Sequence, residues 1–265
     1  MKSVGRAIDI LLAFTRSQPS MGIAELQKTV GIARPTLYRM LRTLESRDLI
    51  RFVGEPRRYE LGFRVMQLAN TWLAQAEVTR AAGPLLEELR QSTQETVALS
   101  VPCSRNSRVF AIELPSRHAI AFSLGVGHIQ AMHVGASGKA ILAFLPPTER
   151  ECILGSVDTR LRKGLDSELA KIREEGFSLT RGEMIPGALA IAAPVFDREG
   201  TVIASVSIVG PEGRMQGSDT QRVAQFATDA ANKISSALGY ADGPPLYRSR
   251  RGSKSSKEPG RNRAV

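Results

Sequence analysis

The chain has 265 residues, 42% of which are hydrophobic, so it can bury one large core or two of ordinary size. No apolar run approaches the roughly 20 residues of a membrane span, and Asp9 interrupts the apolar stretch near the N-terminus, which argues against membrane insertion and export. The two cysteines, Cys103 and Cys152, are far apart and lack metal-ligand spacing, as is typical of proteins in a reducing cytoplasm.

The formal net charge of +10 is concentrated at the two ends of the chain. Residues 1–62 and residues 242–265 each carry a net charge of +5, whereas residues 63–241 are neutral. A basic end joined to a neutral body indicates a domain that binds a polyanion, attached to a domain with another task. The charge, together with the helix and strand patterns described below, predicts a polyanion-binding domain at 1–62, a linker helix at 63–78, a second domain at 79–241 and a basic tail at 242–265.

The N-terminal domain is predicted to contain three short helices followed by a hairpin. The first helix would span about Ser3 to Arg16, and the second would end at Gly31, where a tight turn is needed. The third would begin at Pro35, a residue suited to the first turn of a helix. The apolar residues that recur at helical spacing are Ile8, Leu11 and Leu12 in the first helix, Ile23, Leu26 and Val30 in the second, and Leu37, Leu41 and Leu44 in the third.

The opposite face of the third helix is basic and polar, and carries Thr36, Arg39, Arg42 and Thr43, with Tyr38 on its flank. Strands at Leu49–Val53 and Arg57–Leu61, joined by a Gly54-Glu55-Pro56 turn, would form a hairpin with Arg57 and Arg58 at its tip. This arrangement predicts a winged helix-turn-helix whose third helix enters the DNA major groove. A basic amphipathic helix is more often only a solvated face, but here the turn glycine, the proline start and the basic wing occur together.

Helix and strand patterns alternate in the middle of the chain. Residues Gly62–Gln75 predict a packed linker helix, since Val65, Leu68 and Trp72 follow helical spacing. Further helices are predicted from Thr79 or Pro84 to Ser92 and at Ser137–Phe144, Asp166–Glu175 and Ser218–Leu238, and strands at Thr96–Val101, Ser107–Leu114, Ala119–Leu124, Phe177–Arg181, Ala188–Phe196 and Val202–Val209. This order favours an α+β domain around an antiparallel sheet.

The tail from Asp242 onward is rich in Pro, Gly, Ser and like charge, so we predict that it is disordered. Two interpretations remain open for it. It solubilises the protein, or it attracts DNA phosphates without reading sequence.

No catalytic signature occurs in the sequence. Gly138-Lys139 lacks the upstream glycine of a phosphate-binding loop, the three histidines lack zinc-site spacing, and there is no GxSxG nucleophile elbow. We therefore predict a protein that is not an enzyme, with no catalytic residue, bound metal or cofactor.

The segment from Met132 to Ala140 is a candidate binding site, because small residues run into a predicted helix. Ala136, Ser137 and Gly138 would present backbone N–H groups at the helix start, an arrangement that binds a carboxylate or phosphate. Small residues also let a helix pack closely on a sheet, and spacing alone favours that interpretation.

Several blocks in order resemble the IclR family of bacterial transcriptional regulators, across about residues 3–240. The N-terminal blocks are SVGRAIDILLAF, IAELQKTVGIARPTLYRMLRTLESRDLI and YELGFRVMQLA, and the C-terminal blocks are MHVGASGKAILAF and EEGFSLTRGEMIPGALAIAAPVFDREGTVIASVSIVG. The resemblance implies a winged helix-turn-helix followed by a GAF-like effector domain, with a central antiparallel sheet flanked by helices. It also implies operator binding as a dimer or tetramer, modulated by small metabolites that are often carboxylic acids.

The resemblance implies roles for DNA-binding residues. Arg34, Thr36, Tyr38 and Arg39 correspond to the start of the recognition helix. Arg39 and Arg42 would contact guanine edges or phosphates, which the sequence does not distinguish. The wing arginines, Arg57 and Arg58, would touch the DNA backbone or the minor groove.

The resemblance also implies an effector pocket. The backbone of Ala136 and Ser137, next to Gly138, falls where the family holds a carboxylate, and Thr180, Ala188 and Ala190 fall on pocket positions. Some members have a carboxylate in place of Thr180 and a cysteine or polar residue in place of Ala190, while Glu183 here is out of phase with Thr180. We therefore expect a larger, less polar pocket and an effector that is a larger, partly apolar or aromatic acid.

Together these observations predict a cytoplasmic, effector-responsive transcriptional regulator that controls a catabolic operon. They favour a repressor over an activator. It would bind a palindromic operator in double-stranded DNA as a homodimer or a tetramer, sense a small organic acid, and contact RNA polymerase if it activates. The rival interpretation is a DNA-binding protein whose C-terminal domain only oligomerises and binds no ligand.

Overall fold

A computed structural model of the protein describes residues 2–15, 17–54, 57–75 and 77–241. The predicted basic tail at 242–265 and Glu55 and Pro56 of the predicted wing turn lie outside these ranges. The chain divides into two units, Met1–Ala76 and Glu77–Val265, so the linker helix groups with the N-terminal unit.

The first unit combines short helices with a small sheet. Its elements are α1 (Lys2–Ala13), β1 (Ser20–Gly22), α2 (Ile23–Val30), α3 (Arg34–Glu45), β2 (Ile50–Val53), β3 (Arg58–Leu61) and α4 (Phe63–Gln75). The strands are antiparallel in the order β1-β3-β2, with Met21 opposite Tyr59. Strand β1 was not predicted, because three residues are too few to show an alternating pattern.

The core of this unit forms where the leucine pattern predicts it. The predicted residues that are buried are Leu26 in α2 and Leu37, Leu41 and Leu44 in α3. Helix α2 ends at Gly31 in the left-handed conformation (φ 63°), and Pro35 occupies the first turn of α3. The predicted winged helix-turn-helix is therefore confirmed.

Helix α1 faces the core differently from the prediction. Ile10 is buried and Leu11 packs against the same core, whereas Ile8 and Leu12 are 48% and 72% exposed. The helix is apolar around much of its circumference, so residue spacing alone did not identify the stripe that faces inward.

The predicted helix after the wing is present, and of the residues predicted to pack, Val65 is half-buried whereas Leu68 is exposed. Phe63, Met66 and Leu68 are each more than half exposed. The side chain of Trp72 lies outside the described part. Phe63, Met66 and Leu68 therefore form exposed apolar surface on the described part of α4.

The second unit is a mixed helix and sheet domain. Its elements are α5 (Glu77–Thr93), β4 (Thr96–Ser104), β5 (Ser107–Leu114), β6 (Ile129–Ala131), α6 (Gly135–Phe144), α7 (Pro147–Leu154), α8 (Thr159–Glu175), β7 (Ser178–Arg181), β8 (Ala188–Phe196), β9 (Val202–Pro211), α9 (Glu212–Met215) and α10 (Ser218–Ala237). The strands pair antiparallel in the order β6-β5-β4-β9-β8-β7. The predicted α+β fold class, with an antiparallel sheet flanked by helices, is confirmed.

Strand β8 is buried along almost its whole length, as expected of a strand covered on both faces. Helix α6 packs Ala136 and Ala140 against Ala192 of β8. Helix α10 also lies on β8, where the N–H of Phe196 donates to the Ser235 hydroxyl at 3.0 Å. These contacts hold the start of α6 against the sheet, next to strands β7 and β9.

Three expectations about the second unit differ from the structure. Residues Ala119–Leu124 form an irregular segment instead of a strand, and the N–H of Leu124, the last residue of the predicted strand, donates to the Glu113 carboxylate at 3.2 Å. Helix α7 was missed because Pro146-Pro147 was interpreted only as the end of a helix, although Pro147 also begins the next one. Helix α8 starts at Thr159, earlier than predicted, behind Asp158 as its N-cap.

Candidate functional site

The exposed face of α3 is strongly basic. Arg34, Arg39 and Arg42 are exposed, and none of them pairs with an acidic side chain in the described ranges. The Arg34 guanidinium carbon lies 5.8 Å from the centre of the Tyr38 ring, within cation–π distance. Guanidinium groups without an acidic partner are available for phosphates and guanine edges.

The two predicted threonines of this helix lie in different environments. Thr43 is exposed, and its hydroxyl donates to the carbonyl of Arg39 at 3.0 Å. Thr36 is half-buried near the start of the helix. The structure therefore brings Tyr38, Arg39 and Thr43 onto one exposed surface and leaves Thr36 at its edge.

The two wing arginines differ in availability. Arg57 stacks its guanidinium 4.4 Å from the centre of the Phe52 ring and remains half exposed. Arg58 is held within the domain, since its Nη2 donates to the Ser20 carbonyl at 2.7 Å and to the Glu25 carboxylate at 2.8 Å. Arg58 therefore joins β3 to β1 and α2, a structural role that the sequence did not indicate.

The Glu25 carboxylate completes this arrangement. It accepts the N–H of Gly22 at 2.7 Å as well as the Arg58 guanidinium. The hydrogen bond from Gly22, reinforced by Arg58, holds the pKa of Glu25 below its usual value although burial opposes it. The negative charge of this carboxylate at the start of α2 also interacts favourably with the helix dipole.

The second unit contains a cavity between the sheet, the start of α6 and the irregular segment after β5. The space between these elements amounts to about 550 Å³ when open solvent is included, and about 40 Å³ of it is accessible to the centres of water molecules. Its lining includes Thr96, Ala98, Phe110, Glu113, Phe122, Ser123, Leu124, Ala136, Ser137, Thr180, Gly182, Glu183, Met184, Ile185, Ala188, Ala190, Ser207 and Val209. The apolar walls with a few polar groups are typical of a small-molecule site.

Five of the six predicted effector residues line this cavity, namely Ala136, Ser137, Thr180, Ala188 and Ala190. The sixth, Gly138, lies behind the wall, where an added Cβ would come within 2.5 Å of Arg108 Nη1. The N–H groups of Ala136 and Ser137 have no acceptor within the part of the chain that the structure describes. These two donors at the start of α6 are therefore open to an anionic ligand.

Arg108 of β5 was not identified from the sequence. It is fully buried, and its guanidinium donates to the Ser137 hydroxyl at 2.9 Å and to the Ala131 carbonyl at 2.6 Å. Burial lowers the pKa of Arg108 to about 10, which leaves it protonated at neutral pH. The cation lies one side-chain layer behind the cavity wall.

Glu183 was expected to be out of phase with Thr180, yet its side chain also lines the cavity. Its carboxylate accepts the N–H of Gly135 at 3.0 Å and the ammonium of Lys139 at 2.5 Å. The buried Lys139 also donates to Glu168 at 2.8 Å. This network caps the start of α6 and neutralises the charge of Lys139. No residue spacing in the sequence indicated it.

Glu113 organises the irregular segment that covers the cavity. Its carboxylate accepts the N–H groups of Leu124 at 3.2 Å and Gly125 at 3.0 Å and contacts the Ser123 hydroxyl. The Arg214 guanidinium donates a hydrogen bond to the Ile120 carbonyl of the same segment at 3.1 Å. Phe122 and Leu124 are in this way placed against the cavity.

Within the described ranges, no three His, Cys, Asp or Glu side chains lie close enough together to hold a metal ion. No helix in the described part of the chain is long and apolar enough to cross a membrane.

Comparison with known families and proteins gives consistent matches for both units. The family model for the bacterial transcriptional regulator IclR C-terminal domain matches residues 70–236, and the model for the IclR helix-turn-helix domain matches residues 3–54. The chain is 29% identical over 252 residues to the HTH-type transcriptional regulator KdgR of Escherichia coli, covering 92% of this chain and 95% of that protein. It is 26% identical over 255 residues to the HTH-type transcriptional repressor AllR of Salmonella typhi, covering 92% of each.

A solved structure shares the fold. It is an IclR homolog from Microbacterium hydrocarbonoxydans in complex with 4-hydroxybenzoate, with a TM-score of 0.79 and 22% identity. The match covers 90% of this chain and 100% of that one.

Proposed function

The chain belongs to the IclR family of bacterial transcriptional regulators, and we propose that it is an effector-responsive repressor of a catabolic operon. It binds a palindromic operator as a homodimer or a dimer of dimers, and a small organic acid changes that binding. The observation that carries the proposal is the exposed face of α3, where Arg34, Arg39 and Arg42 have no acidic partner in the described residues.

The operator is tested by selecting genomic fragments with the full-length protein at near-physiological salt and sequencing them. Enrichment of a few promoters with a palindromic site supports the proposal, whereas uniform recovery of fragments contradicts it. Arg39→Ala should weaken discrimination among the selected sites by about 1–3 kcal/mol if Arg39 reads a base. Arg222→Ala, an exposed arginine of α10, is the matched control and should leave the selection unchanged.

Dimerisation is supported by apolar side chains that the single chain leaves exposed. Val4, Ile8 and Leu12 form a stripe along α1, and Phe63 and Met66 are exposed on α4. A second copy would cover such stripes, as monomeric proteins rarely leave extended apolar faces in water. Leu12→Lys should shift the protein towards monomer in analytical ultracentrifugation and weaken operator binding, and an unchanged sedimentation profile would contradict this interface.

The cavity of the second unit supports the sensing of an organic acid. Its walls are largely apolar, and the free N–H groups of Ala136 and Ser137 offer a place for a carboxylate. The neighbour bound to 4-hydroxybenzoate has the same fold, which supports an aromatic or partly apolar acid. Calorimetry with glyoxylate, pyruvate, benzoate and 4-hydroxybenzoate tests this, and tight binding of only the two- and three-carbon acids would refute the expected ligand size.

The acid regulates only if it binds two arrangements of the oligomer with different affinity. We propose that helix α4 converts this difference into a change in the spacing of the two recognition helices. The rival function, a second domain that only oligomerises, predicts that no acid raises the melting temperature or changes operator affinity. A true effector raises the melting temperature as its concentration exceeds its dissociation constant.

A further inference from the structure

We propose that the guanidinium of Arg108 binds the carboxylate of the effector, and that the side chain of Met184 covers this cation in the ligand-free protein. The inference rests on the proposed function of the cavity as an effector site, and it adds a cationic anchor and a gate to that site. It restricts the ligand to an acid with one carboxylate at the α6 end of the cavity and an apolar body beyond it.

The first argument is the incomplete set of partners around Arg108. Its Nε–H donates to the Ser137 hydroxyl at 2.9 Å, and Nη1 donates to the Ala131 carbonyl at 2.6 Å. Nη2 meets only the sulfur of Met184, at 3.7 Å, and sulfur is a weak acceptor. A guanidinium has five N–H donors, so two more have no acceptor within the described ranges.

The second argument is charge. Arg108 is fully buried and forms no ion pair with any described carboxylate. A buried charge without a counter-ion is unfavourable, and an anion that approaches it in a low dielectric is bound strongly. The arginine side chain remains protonated at neutral pH, since burial lowers its pKa only to about 10.

The acidic residue next to Met184 in the sequence does not supply this counter-ion. Glu183 directs its carboxylate to Lys139 and to the N–H of Gly135. Lys139 thereby has two carboxylates, from Glu168 and Glu183, while Arg108 pairs with none of the carboxylates in the described residues. The charge of Arg108 is therefore left for a group that enters from the cavity.

The third argument is position. Arg108 does not line the cavity itself, but Ser137, Met184 and Phe110, which surround its guanidinium, all do. Methionine is unbranched and flexible, so its side chain can turn aside without a change in the fold. The Met184 thioether is then replaced by a carboxylate oxygen, a much stronger acceptor for the guanidinium.

The environment of the carboxylate determines how the rest of the ligand lies. The Ser137 oxygen already accepts from Arg108, so its O–H is free to donate to the same carboxylate. Beyond this end, Phe110, Phe122, Leu124 and Ile185 form apolar walls. A benzoate-like acid places its carboxylate at the Arg108 guanidinium and its ring between the apolar walls. A neutral amide of the same shape fits the apolar walls but does not neutralise the charge of Arg108.

The test compares benzoate with its neutral isostere benzamide by isothermal titration calorimetry, using the full-length protein. We expect benzoate to bind the wild type roughly 10- to 100-fold more tightly than benzamide, the range for a hydrogen-bonded charged group. Arg108→Gln should reduce this ratio to near one, and Arg108→Lys should retain part of it. Met184→Ala should tighten benzoate binding, while Met184→Leu, which keeps the cover, should bind like the wild type.

Three results would overturn the proposal. They are a wild type that does not bind benzoate, an Arg108→Gln variant that keeps the benzoate preference, and a Met184→Ala variant with unchanged benzoate affinity. If Arg108→Gln fails to fold, the Arg108→Lys variant and the two Met184 variants still test the proposal. Operator selection with the same preparations separates this failure from that of the proposed function, because a protein that selects a palindrome remains a regulator whatever binds Arg108.

Discussion

The segment over the cavity depends on one carboxylate, and Glu113→Gln tests that dependence. The Glu113 carboxylate accepts the N–H groups of Leu124 and Gly125, and both of its oxygens lie 3.0 Å from the Gly125 nitrogen. Glutamine keeps the size of the side chain but replaces one accepting oxygen with an NH₂ group and removes the charge. A hydrogen bond to a charged group contributes about 1.5–3 kcal/mol, so we expect local opening to become easier by about 3 kcal/mol.

Hydrogen exchange measures this local opening directly. A change of about 3 kcal/mol corresponds to amide exchange roughly 100-fold faster in the peptide that contains residues 119–126. Peptides from α10 should be unchanged, since the perturbation is local. Glu151→Gln removes an exposed carboxylate that pairs with Arg162 and serves as the matched control. Unchanged exchange at residues 119–126 in Glu113→Gln would refute the role of this carboxylate.

Three further variants test the packing on which both sites depend. Gly62→Ala would place a Cβ 2.0 Å from the carbonyl oxygen of Asp48, and should lower the unfolding free energy of the first unit by about 3 kcal/mol, measured by circular dichroism in denaturant. Glu95→Gln breaks a pair with Arg214 at 2.6 Å in which Glu95 is almost fully buried; we expect a loss of about 3 kcal/mol, seen as a lower denaturation midpoint with an unchanged slope. Arg58→Ala should lower the melting temperature, while the salt dependence of DNA binding should change little because this guanidinium is held within the domain.

The helix-turn-helix could be predicted because its determinants are local in sequence. The leucine spacing of α3, the turn at Gly31 and the proline at the helix start all act over a few residues. Helix α1 shows the limit of this reasoning. Ile8 and Leu12 match the helical period as well as Ile10 does, and only the packing of the other helices decides which stripe is buried.

The covering segment over the cavity could not be predicted, because its structure depends on a contact between residues about ten positions apart. Its apolar residues match a strand pattern at Ala119–Leu124, but the end of the segment is fixed by the Glu113 carboxylate, which accepts the N–H groups of Leu124 and Gly125. A carboxylate at the end of strand β5 carries no spacing signal for such a role. The incorrect strand prediction and the failure to predict this wall of the cavity therefore have the same physical cause.

Arg108 was missed because both faces of strand β5 mix apolar and polar residues. Alternation along Ser107–Leu114 allows either face to point inward, and an arginine is normally assigned to the solvent side. The register places Arg108 and Phe110 on the buried side, behind the start of α6. In the proposed site, the low polarity expected at Thr180 and Ala190 is offset by the buried cation of Arg108, which lies behind the cavity wall. We therefore propose that the pocket selects an acid whose carboxylate points to α6 and whose apolar body points away from it.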